Sequence, residues 1–248
     1  MENKKIPQRI KRLLEVFEET NGKIGDLEKN EWRIVLNPFE MLKLEEDLIK
    51  KNKDKDKERF KCGVLGEDNF YIYTRFFFER PVENKTEFVL YNKVFWTGQL
   101  FGGAGVAALV LSSDNKIILT RSWRPSVGNW ILETPGTIKQ KEEREEETLK
   151  RCLDDDIGLE IDKKELLSDY FFPDRGIMSG FVPFYLIKLK KGKFKPKDLS
   201  LNKKLAFSKE ELESIIKKGY YMYENKKHFC CDGYLVFALY LAEKKGLI

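Results

Sequence analysis

The residues Arg151-Cys152-Leu153-Asp154-Asp155-Asp156 place a guanidinium, a thiol and three carboxylates in six consecutive positions. Leu149, Leu153 and Ile157 recur at i, i+4 and i+8, a helical spacing that turns them together toward a core. On that helix Cys152, Asp155 and Asp156 stand at i, i+3 and i+4 and share a face, so two carboxylates and a thiol point one way. Carboxylates on one helix face can hold a hard divalent cation against a diphosphate. There the ion offsets phosphate charge and helps make water a nucleophile. The same pattern also describes an ordinary acidic amphipathic helix with a solvated face. Upstream, Thr134-Pro135-Gly136-Thr137 leads toward the helix, and its glycine allows the backbone to approach a ligand. His228 is the only histidine, so any metal is expected to be bound through oxygen.

These residues need a scaffold, and the flanking pattern supplies one. Val106 to Leu111 is a continuous apolar run that reads as a buried strand. Ser113-Asp114-Asn115 makes a turn, and Lys116 to Arg121 returns as a second strand. Trp130 to Thr134 reads as a short strand stopping at Pro135-Gly136, and the helix from Glu145 to Asp156 closes at Gly158. Strands are expected at Tyr170-Phe171-Phe172 and from Phe181 to Leu189. A helix opening at Ser208 has capping-box spacing to Glu211, and a last helix runs from about Asp232 to Lys245. Before residue 66 the pattern is helical: Ile10, Leu13, Leu14 and Phe17 in one helix, and Met41, Leu42, Leu44 and Leu48 in another that begins at Asn37-Pro38. The charge run Lys50 to Glu58 reads as a surface connection, and Phe70 to Trp96 as aromatic strands. The expected division is therefore a helical extension over 1–65 and an α/β domain over 66–248.

The order of these parts resembles the Nudix box, in which a glycine and a glutamate precede Arg-Glu-apolar-x-Glu-Glu-x-Gly-apolar. Aligned through Arg151 and Gly158, Glu143 falls on the first glutamate, Leu153 and Leu159 on the apolar positions, and Asp155 and Asp156 on the paired glutamates. The stretches Arg121-Ser122-Trp123-Arg124-Pro125 and Trp130-Ile131-Leu132-Glu133-Thr134-Pro135-Gly136 look like the ADP-ribose pyrophosphatase branch of that superfamily. The resemblance implies a Nudix-type α/β/α sandwich with a mixed sheet. It also implies attack by water on a nucleoside diphosphate linked to a second group, with Mg²⁺ or Mn²⁺, in a homodimer. Carried over residue by residue, Asp155 and Asp156 would be metal ligands, and Glu143 and Arg151 would complete the catalytic set. Arg121 and Arg124 would meet phosphate or sugar, guanidinium being suited to bidentate phosphate contacts. Trp123 would stack on a base, and Glu133 and Gly136 would line the substrate site.

Four positions depart from the pattern. Cys152 stands where the box has a glutamate, and a thiolate is a poor ligand for Mg²⁺. Both paired glutamates are aspartates, one methylene shorter. Thr137 takes the place of the box glycine, with Gly136 one residue early. In the loop after the box, Gly180 stands where this branch often has a glutamate, leaving Asp174 as the nearest carboxylate. Two functions follow: a hydrolase working with the remaining acids, or a catalytically impaired fold that binds a nucleotide-type ligand or serves as a partner module.

Composition narrows the classes further. The 248 residues carry 46 basic and 41 acidic side chains, a net charge of +5 spread along the chain. Lys50 to Lys57 and Lys190 to Lys197 could touch RNA, but the first run alternates with acids, and nucleic acid is not the expected partner. No apolar run reaches the ~18 residues of a membrane helix. The N-terminus lacks the apolar segment of a secretory signal. Cys62, Cys152, Cys230 and Cys231 form no metal-ligand spacing and read as free thiols, so a cytoplasmic location is expected.

Overall fold

A computed structural model describes residues 5–83, 85–174, 176–193, 204–230 and 232–248. Cys231 and residues 194–197 of the Lys190 to Lys197 run lie outside the described residues. The chain forms two compact units, Met1–Gly102 with Asp174–Gly180, and Gly103–Pro173 with Phe181–Ile248. The boundary thus falls at Gly102 rather than at residue 65. The reason is hydrogen bonding, because the aromatic strands expected to lead the α/β domain form their own sheet.

In the first unit, α1 (Gln8–Glu19) and α2 (Pro38–Lys51) accompany β1 (Arg33–Ile34), β2 (Gly63–Glu67), β3 (Tyr71–Val82) and β4 (Lys85–Trp96). The aromatic strands expected between Phe70 and Trp96 form one long antiparallel hairpin, paired from Tyr71↔Trp96 to Val82↔Lys85. The helices form where expected. The Asn37 side chain accepts from the Phe39 and Glu40 amides, and Pro38 opens α2. The charge run is more ordered than a bare connection. The helix continues to Lys51, and Lys57–Phe60 forms a 3-10 turn whose Glu58 amide donates to Asp56. Ile10, Leu13, Met41, Ile72, Phe76 and Phe95 make the core. Inside it, Arg9 donates to both oxygens of the buried Glu45 at 3.0 and 2.7 Å, and to the Cys62 carbonyl, while the Cys62 amide donates to Glu45 at 3.0 Å. Burial, with Glu45 alongside, pushes the Cys62 thiol up to about 12.

The second unit contains β5 (Gly105–Leu111), β6 (Ile117–Arg124), β7 (Asn129–Glu133), β8 (Gly136–Ile138), α3 (Glu145–Asp156), β9 (Ile161–Phe171), β10 (Val182–Leu189), β11 (Lys204–Phe207), α4 (Lys209–Lys218), β12 (Tyr220–Tyr223), β13 (Lys226–Phe229) and α5 (Gly233–Lys244). Its mixed sheet runs β12-β13-β7-β6-β5-β10-β9, with β11 on β6 and β8 on β5. The pairs β5–β10 and β7–β13 are parallel. Helices lie on both faces. Val106, Ala108, Val110, Ile118, Tyr185 and Ile187 pack under Leu149, Cys152, Leu153 and Ile157 of α3. On the other face, Phe171 and Phe184 meet Tyr234 of α5 at 4.3 and 5.9 Å. This is the expected α/β sandwich. No helix among the described residues is long and apolar enough to cross a membrane.

The buried pair in the first unit yields a test. Removing one partner of a buried ion pair typically costs about 3–5 kcal/mol, because the other charge is left unpaired. Arg9→Met should therefore lower the midpoint of chemical unfolding of this unit far more than Arg33→Met, whose pair with Glu79 is more exposed. Equal midpoints for the two variants would contradict the role given to Arg9.

Candidate active site

The α3 helix is tied to the preceding loop by one side chain. Arg151 donates from Nε to Glu143 Oε1 at 2.6 Å and from Nη2 to Glu143 Oε2 at 3.0 Å. It also reaches back to the Ile138 carbonyl at 2.8 Å and the Thr137 hydroxyl at 3.2 Å. Glu143 accepts further hydrogen bonds from the Gln140 amide and the Thr148 hydroxyl, each at 3.0 Å. The Arg151 hydrogen bonds are the main reason its carboxyl is held down at about 2. Thr137, in the place of the box glycine, thus makes a contact that glycine could not. Glu143, expected among the catalytic acids, has both oxygens committed to holding the loop and helix together.

That loop is pinned to the sheet as well. Ala107 pairs with Gly136, Val106 with Thr137 and Gly105 with Ile138. Gly105 is required by close approach, since a Cβ there would lie 2.3 Å from the Thr137 carbonyl oxygen. At the far end of α3, Gly158 takes φ +67° and its amide donates to the Leu153 carbonyl at 2.8 Å, a C-terminal closure that glycine adopts without strain. Glu145, Glu146 and Glu147 occupy the first turn, where the helix dipole favours negative charge.

The expected polar face of α3 is narrower than its spacing suggested. Cys152 is buried and packs among Val106, Ala108, Leu149 and Leu153, so it belongs to the core rather than to the carboxylate face. Its thiol lies 3.7 Å from an Asp156 oxygen. Burial first, and Asp156 second, push its pKa well above the ordinary thiol value. Asp155 and Asp156 are half-buried at the edge of the helix.

Strand alternation decides which sheet residues can join them. Ile118 lies opposite Val110 and faces α3, so Thr120, Ser122 and Arg124 do as well. Arg124 makes a bidentate pair with Glu133, from Nε at 2.9 Å and Nη2 at 2.6 Å. Its pKa is raised, chiefly by that bond and with contributions from Asp156 and Asp232. Asp232, ahead of α5, accepts from the Thr134 amide and hydroxyl, each at 3.1 Å, and from the Tyr234 amide at 3.0 Å. Burial raises its pKa. Arg124, Glu133, Asp156 and Asp232 thus form one electrostatic group, and Gly136, two residues beyond Thr134, is exposed. The sequence reading did not find Asp232 as a site residue. Its only local signal is a helix-cap position, and its partner Thr134 is 98 residues away.

Arg121 and Trp123 lie elsewhere. They alternate with Ser122 and Arg124 and therefore project from the opposite sheet face, where Trp130, opposite Trp123, joins them. A substrate site shared by Arg121, Trp123 and Arg124 is not what the structure forms. Asp174 is engaged locally: its carboxylate accepts from the Gly176 amide at 2.7 Å, in a segment that hydrogen-bonds to Val94 of the first unit.

Among the described residues, no three His, Cys, Asp or Glu side chains converge as a ready-made metal cage. Asp155 and Asp156 still suit Mg²⁺ or Mn²⁺ in one mode, since Mg²⁺ commonly binds one or two carboxylates and completes its octahedron with water and substrate phosphate.

No profile of a known protein family matches this sequence, and no curated protein matches it. Solved structures do. One described as the crystal structure of an ADP compounds hydrolase aligns with a TM-score of 0.55 at 11% identity, over 76% of this chain and 95% of that one. At such identity the likeness concerns the fold alone.

Two outcomes follow from this geometry. A depressed carboxyl pKa contributes stability above the unfolded value near 4.5 and loses it as pH falls toward about 2. Thermal melts should therefore show Glu143→Gln removing part of the wild-type loss of stability across that acid window. An unchanged acid limb would contradict the strut. Cys152→Glu would place a carboxylate in the apolar core beside Asp156 and should destabilise by roughly 2–4 kcal/mol, against about 1 kcal/mol for Cys152→Ala. Equal unfolding midpoints for the two variants would contradict the burial of this position.

Proposed function

We propose that the second unit binds a compound in which a nucleoside diphosphate is linked to a second group, and hydrolyses the diphosphate with Mg²⁺ or Mn²⁺. The observation that carries this reading is the group formed by Arg124, Glu133, Asp156 and Asp232 on the side of the sheet covered by α3. Asp155 and Asp156 would hold the ion, which when bound neutralises phosphate charge and lowers the pKa of a coordinated water. Arg124 presents a guanidinium already oriented by Glu133, a geometry suited to phosphate oxygens. Gly136, exposed where the loop leaves the sheet, would offer the ligand backbone without a side chain. Arg151 is a positioning residue that fixes α3 against the loop through Glu143.

A second reading, ligand binding without turnover, is favoured by the burial of Cys152. The resemblance places a carboxylate there, and loss of a working carboxylate commonly costs several orders of magnitude in rate.

The test offers the purified chain ADP-ribose, other nucleotide sugars and dinucleotides with Mg²⁺ or Mn²⁺ and follows products by anion-exchange chromatography. Turnover that falls on the order of 100-fold or more in D155N/D156N supports the hydrolase. Binding with no turnover supports the second reading. Turnover left unchanged by the double variant would overturn the assignment of the carboxylates.

A further inference from the structure

The face of the second unit's sheet opposite α3 contains a second arrangement that the hydrolase reading does not use. The Arg121 guanidinium lies over the Trp130 ring at 3.9 Å and toward the Tyr223 ring at 5.0 Å. Its Nε donates to His228 Nε2 at 2.8 Å. His228 Nδ1 lies 3.0 Å from the Lys226 carbonyl and donates to it, which leaves Nε2 as the acceptor and the ring neutral. Burial, followed by the charge of Arg121, disfavours its protonated form. The guanidinium is thus held in plane by two aromatic rings and one acceptor.

What Arg121 lacks is a counter-charge. Among the described residues no carboxylate lies within ion-pair distance of it, whereas Arg9, Arg12, Arg33, Arg80, Arg124, Arg144 and Arg151 all pair with one. Nη1 and Nη2 donate to none of the described residues, and the Arg121 side chain is partly exposed. Beside it, Trp123 packs edge-on against Trp130 at 5.7 Å and leaves 49% of its surface exposed. Lys226 lies opposite Tyr223 in the β12–β13 pair and so projects from the same face. The charges that act on His228 are those of Arg121, Glu224 and Lys226.

A fixed guanidinium with its fork open and an exposed indole beside it match a ligand that combines a phosphate with a flat aromatic ring. We infer that this face is a second binding site, distinct from the α3 side, that takes a nucleoside monophosphate group through Arg121 and stacks its base on Trp123. The group could arrive as a free mononucleotide or as the end of an oligonucleotide.

Calorimetric titration of the full chain with AMP in EDTA isolates this site, because AMP has no diphosphate and the α3 carboxylates then have no metal. Wild type should bind AMP, and inorganic phosphate more weakly. Trp123→Ala, which removes a half-exposed ring, should weaken AMP roughly 5-fold or more and leave phosphate unchanged. Arg121→Gln should weaken both, and Arg121→Lys should retain part of the phosphate affinity. D155N/D156N should leave the AMP affinity within about 2-fold, which separates this site from the hydrolase reading whether or not that reading stands. A 5′-phosphorylated trinucleotide that binds more tightly than AMP would identify the oligonucleotide source, and equal or weaker binding the free nucleotide. The inference is overturned if wild type binds no AMP at millimolar concentration, if Trp123→Ala and Arg121→Gln both bind as wild type does, or if D155N/D156N abolishes AMP binding.

Discussion

The Arg151 guanidinium is the constraint on which the second unit's site depends. It joins Glu143, Thr137 and the Ile138 carbonyl, and through them the helix α3 and the short strand β8 that is laid on β5. The apolar side of α3 supplies most of the attachment, as hydrophobic burial usually does. Burial alone is non-directional, however, and leaves the rotation and advance of a helix loosely set. The forked hydrogen bonds set both. They thereby fix the direction of Asp155 and Asp156, half-buried in the last turn of the same helix. The departure at Thr137 fits this account, because its hydroxyl adds a contact to the same arginine.

The two sheet faces divide the charged and aromatic residues between them. On the α3 side, carboxylates outnumber cations. Arg124 stands among Glu133, Asp156 and Asp232, and burial leaves Asp232 reluctant to ionise. Such a group gains from a cation that brings phosphate with it, since bare phosphate would meet a net negative field. On the other face the balance is reversed: Arg121 is cradled by aromatic rings and a neutral histidine, and no described carboxylate pairs with it. The buried Cys152 lies on the α3 side, beside Asp156 and within the core. It is in a place where a thiol packs well and a carboxylate would be costly.

Sequence patterns carried the fold further than the site. The β5–β6 hairpin, the limits of α3, the Gly158 closure and the Ser208 cap were all readable, because each rests on local periodicity or turn chemistry. The strand β9 was seen only at its aromatic end, since Ile161 to Asp169 is polar and exposed along most of its length. The short strands β11, β12 and β13 carry too few residues to show a period. The domain boundary was misplaced because periodicity does not reveal which strands hydrogen-bond to one another. In the site, helical spacing sets Cys152 on the face of Asp155 and Asp156, whereas the structure buries it in the core. Arg121 and Arg124 were read as one group. Their three-residue separation on a strand puts them on opposite faces, and only the strand assignment reveals it. The ties to Asp232 and His228 cross about a hundred residues of chain and have no local signature.

The claim that α3 presents a metal-dependent diphosphate site is tested most directly by the electron paramagnetic resonance signal of free Mn²⁺. The signal would be followed as the full chain is titrated with ADP-ribose. Two adjacent carboxylates without a third protein donor should capture the ion weakly by themselves and markedly better with a diphosphate present. Adding ADP-ribose to wild type should deplete the free Mn²⁺ signal well beyond what ADP-ribose alone removes, and D155N/D156N should abolish the excess. Depletion of the same size in the double variant would contradict that claim.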